Sequence, residues 1–195
     1  MTTIARRVAI SLVAAIVLAA AVAERPLPGD SVYQLSARMT DSTGRSLDWR
    51  SLRGKPRVAT LFYTSCQYVC PLTVDGLRAI ERGLTPAERE RVGYVLVTLD
   101  PDRDTPARLA AVKSERHLDS AAWLLLRPEP QDLRSLAGML GVRYRALANG
   151  EFNHTTTLVL LDTEGRVLAR TERVGGSGDP EFVAAVRAAA RNAKP

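Results

Sequence analysis

The residues with the most chemistry in them are two thiols. Cys66 and Cys70 are the only cysteines of the 195-residue chain, in Thr64-Ser65-Cys66-Gln67-Tyr68-Val69-Cys70-Pro71. A thiolate is both a nucleophile and a soft metal ligand. Pro71 disfavours α geometry at Cys70 and itself suits the first position of a helix. Cys70 is therefore expected at a helix cap, with Cys66–Cys70 as a short loop. Residues four apart in a regular helix hold their Cβ atoms about 5–6 Å apart, and a disulfide wants about 3.5–4.5 Å; a loop can close that gap. Unpaired N–H groups at the helix start favour a thiolate at Cys70. A purely structural disulfide is the weaker reading, because so small a loop stabilises little. A second cysteine pair for a four-cysteine zinc site is lacking.

His154 is the third candidate, in Phe152-Asn153-His154-Thr155-Thr156-Thr157, just ahead of an apolar run Leu158–Leu161. In an α/β sheet that loop can lie beside the end of the first buried strand. A loop histidine alone reads as surface, but two thiolates and one imidazole make a soft three-coordinate site suited to copper. His117, late in a polar helix, reads as surface.

The elements that must position these groups alternate. Val32–Met39, the turn Thr43-Gly44 and Leu47 read as a small strand-turn-strand. Val58–Tyr63 and Val92–Leu99 are buried strands. Between them lie a helix after Pro71, with Leu72, Leu77 and Ile80 at helical spacing, and a short one at Pro86–Arg91. Thr105-Pro106 caps another helix. Trp123–Leu126 is a strand, and Gln131–Leu140 a helix stopped by Gly141. Thr157–Leu161 and Val167–Arg170 form a hairpin, and Asp179-Pro180 opens a last helix to about Arg191. This is one α/β domain.

Cys-x-x-x-Cys-Pro after one buried strand, Leu99-Asp100-Pro101-Asp102-Arg103-Asp104-Thr105-Pro106 after the next, and His154 eight residues before Asp162 in Leu160-Leu161-Asp162-x-x-Gly165 together resemble the Sco/SenC family, from about Asp41 to the C-terminal helix. The resemblance implies a thioredoxin-like α/β fold, with a central mixed sheet flanked by helices and an N-terminal β-hairpin extension. The chain then divides into a signal peptide or anchor (1–23), a tether and first strand (24–40) and the thioredoxin-like domain that the resemblance implies (41–195). It implies copper as the bound metal, with Cys66, Cys70 and His154 as ligands and Asp100 and Asp104 as acids near the site. Those two acids also have a structural reading, one ending a strand and the other setting up a helix cap.

The chain departs from the family pattern in two places. Gln67-Tyr68-Val69 stands where the family usually has Pro-Asp between the cysteines, and Asn153 where it usually has an acid before the histidine. Fewer carboxylates favour Cu(I) over the harder Cu(II). The cis-proline usual beside a thioredoxin cysteine pair is replaced by Thr155–Thr157. The expected function is a copper metallochaperone that takes copper from a donor chaperone and passes it to cytochrome c oxidase subunit II or a similar acceptor. The alternative is a thiol–disulfide oxidoreductase, with Cys66 and Cys70 catalytic, that reduces a partner's copper-ligand cysteines.

The ends and the charge set the context. Arg6 and Arg7 precede an uncharged apolar run, Val8 to Ala23, that ends in Ala21-Val22-Ala23. This is the pattern of a secretory signal, and if uncut it would be a membrane tether; either puts the domain in the periplasm or facing it. The chain carries 27 Lys and Arg against 21 Asp and Glu, a formal +6. Removing the leader takes away two arginines, and the remaining basic residues are interspersed with acids. With no basic block, nucleic acid is excluded as a partner.

Overall fold

The computed structural model describes residues 26–176 and 178–193; the expected signal segment 1–23 lies outside them. Nine strands and five α-helices are described. Seven strands form one mixed sheet in the order β2-β1-β5-β4-β3-β8-β9: β1 (Arg38–Asp41), β2 (Ser46–Asp48), β3 (Arg57–Phe62), β4 (Gly93–Thr98), β5 (Trp123–Pro128), β8 (Leu158–Leu161) and β9 (Val167–Thr171). The helices are α1 (Val69–Gly83), α2 (Pro86–Arg91), α3 (Pro106–Glu115), α4 (Leu133–Met139) and α5 (Pro180–Asn192). A separate two-stranded hairpin pairs β6 (Tyr144–Ala146) with β7 (Phe152–His154).

The centre of the sheet is parallel, β3 beside β4 and β4 beside β5. Their connections run through helices, as parallel neighbours require. Every residue of β4 is buried, so both faces of the sheet are covered, and its sequence Gly-Tyr-Val-Leu-Val-Thr shows no polar alternation for that reason. The expected α/β architecture is present. The N-terminal hairpin β1–β2 is not a free appendage, because β1 also pairs antiparallel with β5 and extends the main sheet.

Two readings of the N-terminal part are corrected. The run from Val32 does not begin as a strand. Val32–Gln34 is a 3-10 turn capped by the Ser31 side chain, and extended pairing starts only at Arg38. Nor does the stretch before it hang free. The Val32 N–H donates to the Gly165 carbonyl at 2.9 Å, the Ser31 hydroxyl to the Glu164 carbonyl at 2.5 Å, and Tyr33 is fully buried. Gly165, in the β8–β9 turn, has φ +81°, and a Cβ there would lie 2.4 Å from the Tyr33 ring. Only glycine accepts both that backbone and that approach.

Candidate metal centre

Phe62 ends β3 opposite Thr98 at the end of β4, so the loops leaving these parallel neighbours emerge side by side. One carries Tyr63 to Cys66, the other Asp100 to Asp104. Such a cleft at the carboxyl ends of parallel strands is where open α/β sheets build sites.

Helix α1 starts earlier than Pro71 implies. Its N-cap is Tyr68, which puts Cys70 second and Pro71 third in the helix. Proline is tolerated there because the first four N–H groups of a helix have no intrahelical partner anyway. The turn still brings the thiols together, with the Cys70 N–H donating to the Cys66 sulfur at 3.3 Å. Both cysteines are free.

The two thiols differ. Cys70 is 6% exposed. Burial above all, then its hydrogen bond to Cys66 and the nearby Asp104 charge, push its thiol well above the usual range. Cys66 is half-buried. Burial pushes that thiol up as well, but hydrogen bonds from Cys70 and from the N–H groups of Tyr68 and Val69 outweigh it and hold Cys66 below its ordinary value. The helix-start donors therefore stabilise a thiolate at Cys66, not at Cys70 as the sequence suggested, because the residue just outside the helix faces the unpaired N–H groups. A cleft of about 80 Å³ adjoins both sulfurs, with Val74 and Val112 among its lining residues.

His154 ends β7, and the register places it at the thiols' end of the sheet. Strand β8 pairs antiparallel with β3 through Ala59 and Val159, and the Thr157 carbonyl accepts the Thr60 hydroxyl at 2.9 Å. Residues just before β8 therefore lie at the same end of β3 as the cysteine loop. The His154 ring packs edge-on against Tyr63 with centroids 6.0 Å apart. Its Nδ1 lies 3.1 Å from the Thr155 carbonyl, which can only accept, so Nδ1 carries the proton and Nε2 keeps the lone pair. Burial lowers the ring's pKa, partly opposed by that hydrogen bond. A neutral imidazole with a free Nε2 and two thiols is a donor set that fits soft Cu(I). The set is not yet assembled: among the described residues, no three His, Cys, Asp or Glu side chains group so as to hold a metal ion.

Asp100 and Asp104 turn out to be structural partners of the site. Asp104, 1% exposed, accepts the Thr64 N–H at 3.0 Å and the hydroxyls of both Thr64 and Thr98. It pins the cysteine loop to the end of β4. The cap of α3 is made by Thr105. Asp100 pairs with Arg103 at 2.5 Å, and Arg103 also donates to the Gly150 carbonyl in the β6–β7 turn. Sequence reasoning missed Tyr63, Thr64, Thr98, Arg103 and Glu151. The one available signal was Asn149-Gly150, a hairpin dipeptide that marks β6–β7.

The model of the SCO1/SenC family matches residues 30–190. The chain belongs to the SCO1/SenC family. A protein of Stutzerimonas stutzeri named for copper binding is 26% identical over 131 residues, which span 65% of this chain and 63% of that one. The crystal structure of a SCO1/SenC family lipoprotein of Bacillus anthracis superposes with a TM-score of 0.69 at 26% identity, over 80% of this chain and 94% of the other. ScoI of Bradyrhizobium japonicum, solved with copper bound, gives a TM-score of 0.66 at 22% identity over 80% and 98%; at that identity the likeness is one of fold. The fold shared with these SCO1/SenC structures is the thioredoxin-like one.

Proposed function

We propose that this SCO1/SenC protein is an exported copper metallochaperone, which binds Cu(I) through Cys66, Cys70 and His154 and passes it by ligand exchange to the copper centre of cytochrome c oxidase subunit II. The observation that carries the reading is the donor set at one sheet end: a Cys66 sulfur already accepting N–H bonds, Cys70 one turn away, and a neutral imidazole behind Tyr63. Copper binding in the name of the S. stutzeri relative supports it. A three-ligand site open on one side exchanges its ion more readily than a closed four-ligand one. Tyr68 and Leu72 flank the thiols at 80% and 56% exposure, where an accepting protein would press. Export is supported by the apolar run at residues 8–23. Among the described residues no helix is long and apolar enough to cross a membrane.

Anaerobic titration of the reduced protein should load about one Cu(I) per chain, set by its single thiol pair. Cys66→Ser or Cys70→Ser should abolish loading, and His154→Ala should weaken it while leaving the thiols able to form a disulfide. Full loading of either serine variant would sink the site.

The second reading, a thiol–disulfide reductase, is favoured by the asymmetry of the thiols. A half-buried Cys66 with a lowered pKa suits attack on a partner disulfide, and a buried, protonated Cys70 suits resolution. That chemistry has no use for His154, so an unchanged copper spectrum in His154→Ala would move the balance toward it.

A further inference from the structure

Tyr63 touches all three proposed ligands. Its carbonyl accepts the Cys66 N–H at 3.2 Å, its backbone bonds the Cys70 sulfur, and its ring lies against His154. It is 4% exposed. Its hydroxyl donates to Glu151 Oε2 at 2.6 Å. Glu151 follows the turn glycine Gly150 and sits one residue ahead of β7. The next residue, Phe152, packs edge-on against the same Tyr63 ring with centroids 5.2 Å apart.

The β6–β7 hairpin carries His154 and pairs with no strand of the seven-stranded sheet. Its β7 end is anchored where the Thr60 hydroxyl meets the Thr157 carbonyl, and the rest of its placement is held by side-chain ties. These are the Tyr63–Glu151 bond, the packing of Phe152 and His154 on the Tyr63 ring, and the Arg103 guanidinium on the Gly150 carbonyl. With these ties made, His154 does not group with the cysteines as a metal-holding set. The hydroxyl–carboxylate bond is the strongest single polar tie from the cysteine loop to the hairpin, because its acceptor is charged.

We infer that the Tyr63–Glu151 hydrogen bond is a latch, which holds the β6–β7 hairpin with His154 parked against the Tyr63 ring and must open for the imidazole to join the cysteines on copper. Tyr63 is thus a positioning residue, not a ligand. The inference rests on the copper reading only for its consequence. When the binding-competent arrangement is a minor one, apparent affinity falls by the fraction of molecules that adopt it. The latch keeps copper loosely held and easy to surrender.

Two measurements on the full chain test this, with Tyr63→Phe, which keeps the ring and removes the hydroxyl, and Glu151→Gln, which weakens the acceptor. The first needs no copper. Acylation of His154 by diethylpyrocarbonate is followed by mass spectrometry, with His117 as the internal reference. Opening the latch should speed His154 by about tenfold or more in Tyr63→Phe, the worth of one hydrogen bond to a charged acceptor, with a smaller rise in Glu151→Gln and His117 unchanged. An unchanged His154 rate overturns the latch.

The second is Cu(I) competition against a chelator, with and without His154→Ala. Tyr63→Phe should hold Cu(I) more tightly when His154 is present and make no difference when it is absent. A structural role alone would not depend on His154, so weaker retention in Tyr63→Phe, or an effect that persists in His154→Ala, overturns the proposal. If the unmodified protein takes up no Cu(I), the metallochaperone reading falls, and the latch is decided by the acylation rate.

Discussion

Cys66 and Cys70 share one turn of chain and differ in environment. Cys66 accepts N–H bonds at the helix start, whereas Cys70 lies under it beside Asp104. Limited alkylation of the reduced protein at neutral pH should therefore label Cys66 well before Cys70, and peptide mapping reads the ratio. The Cys66 rate should fall only once pH drops below its lowered pKa, while Cys70 should stay slow even above the ordinary thiol value of 9.0. The stability consequence at Cys70 has a definite sign. The unfolded chain sheds that proton near 9.0 and the folded chain keeps it, so reduced protein should lose stability as pH rises past that value. Equal labelling of both thiols would contradict the asymmetry. The sequence made the pair legible, since no other thiols exist, but it placed the thiolate on the wrong member. A proline three residues into a helix is invisible to a rule that puts it first.

The elements act on the site through buried polar clamps. Asp104 joins the cysteine loop to the end of β4 by three hydrogen bonds. Asp104→Ala would strand the Thr64 N–H and the Thr98 hydroxyl, and should cost about 3 kcal/mol in urea unfolding. A loss under about 1 kcal/mol would mean that the carboxylate is not a clamp. The apolar strands β3, β4 and β8 and the capped helices were legible from apolar runs and from Thr105-Pro106 and Asp179-Pro180. The β6–β7 hairpin was not, because its strands are three residues each and carry too few alternations to register a period. Missing it hid the partners of His154. Asp100 and Asp104 were found as acids near the site, but their bonds to Arg103, Thr64 and Thr98 join residues that no sequence spacing connects.

At the scale of the molecule, the stretch before β1 is part of the folded body. Gly165→Ala would force a side chain into positive φ and into Tyr33 and Ser31. It should cost about 2 kcal/mol or more and speed hydrogen exchange at the Val32 N–H, which bonds the Gly165 carbonyl; an unchanged melting temperature would show that this contact is dispensable. The alternation of strands and helices anticipated a single α/β domain, yet it held no hint of this seam, which depends on the φ of one glycine.

The position of that seam has a mechanical consequence. The Gly54 N–H meets the Thr163 carbonyl at 2.7 Å, so the β8–β9 turn lies at the start of β3, and the thiols lie past its end. Six residues of strand separate the two poles by about 20 Å. A restraint applied upstream of Pro26 would grip the body at the pole remote from the sulfurs. The sheet would then act as a lever arm: a modest tilt at the gripped pole would sweep Cys66 through an arc whose radius is the length of the strand.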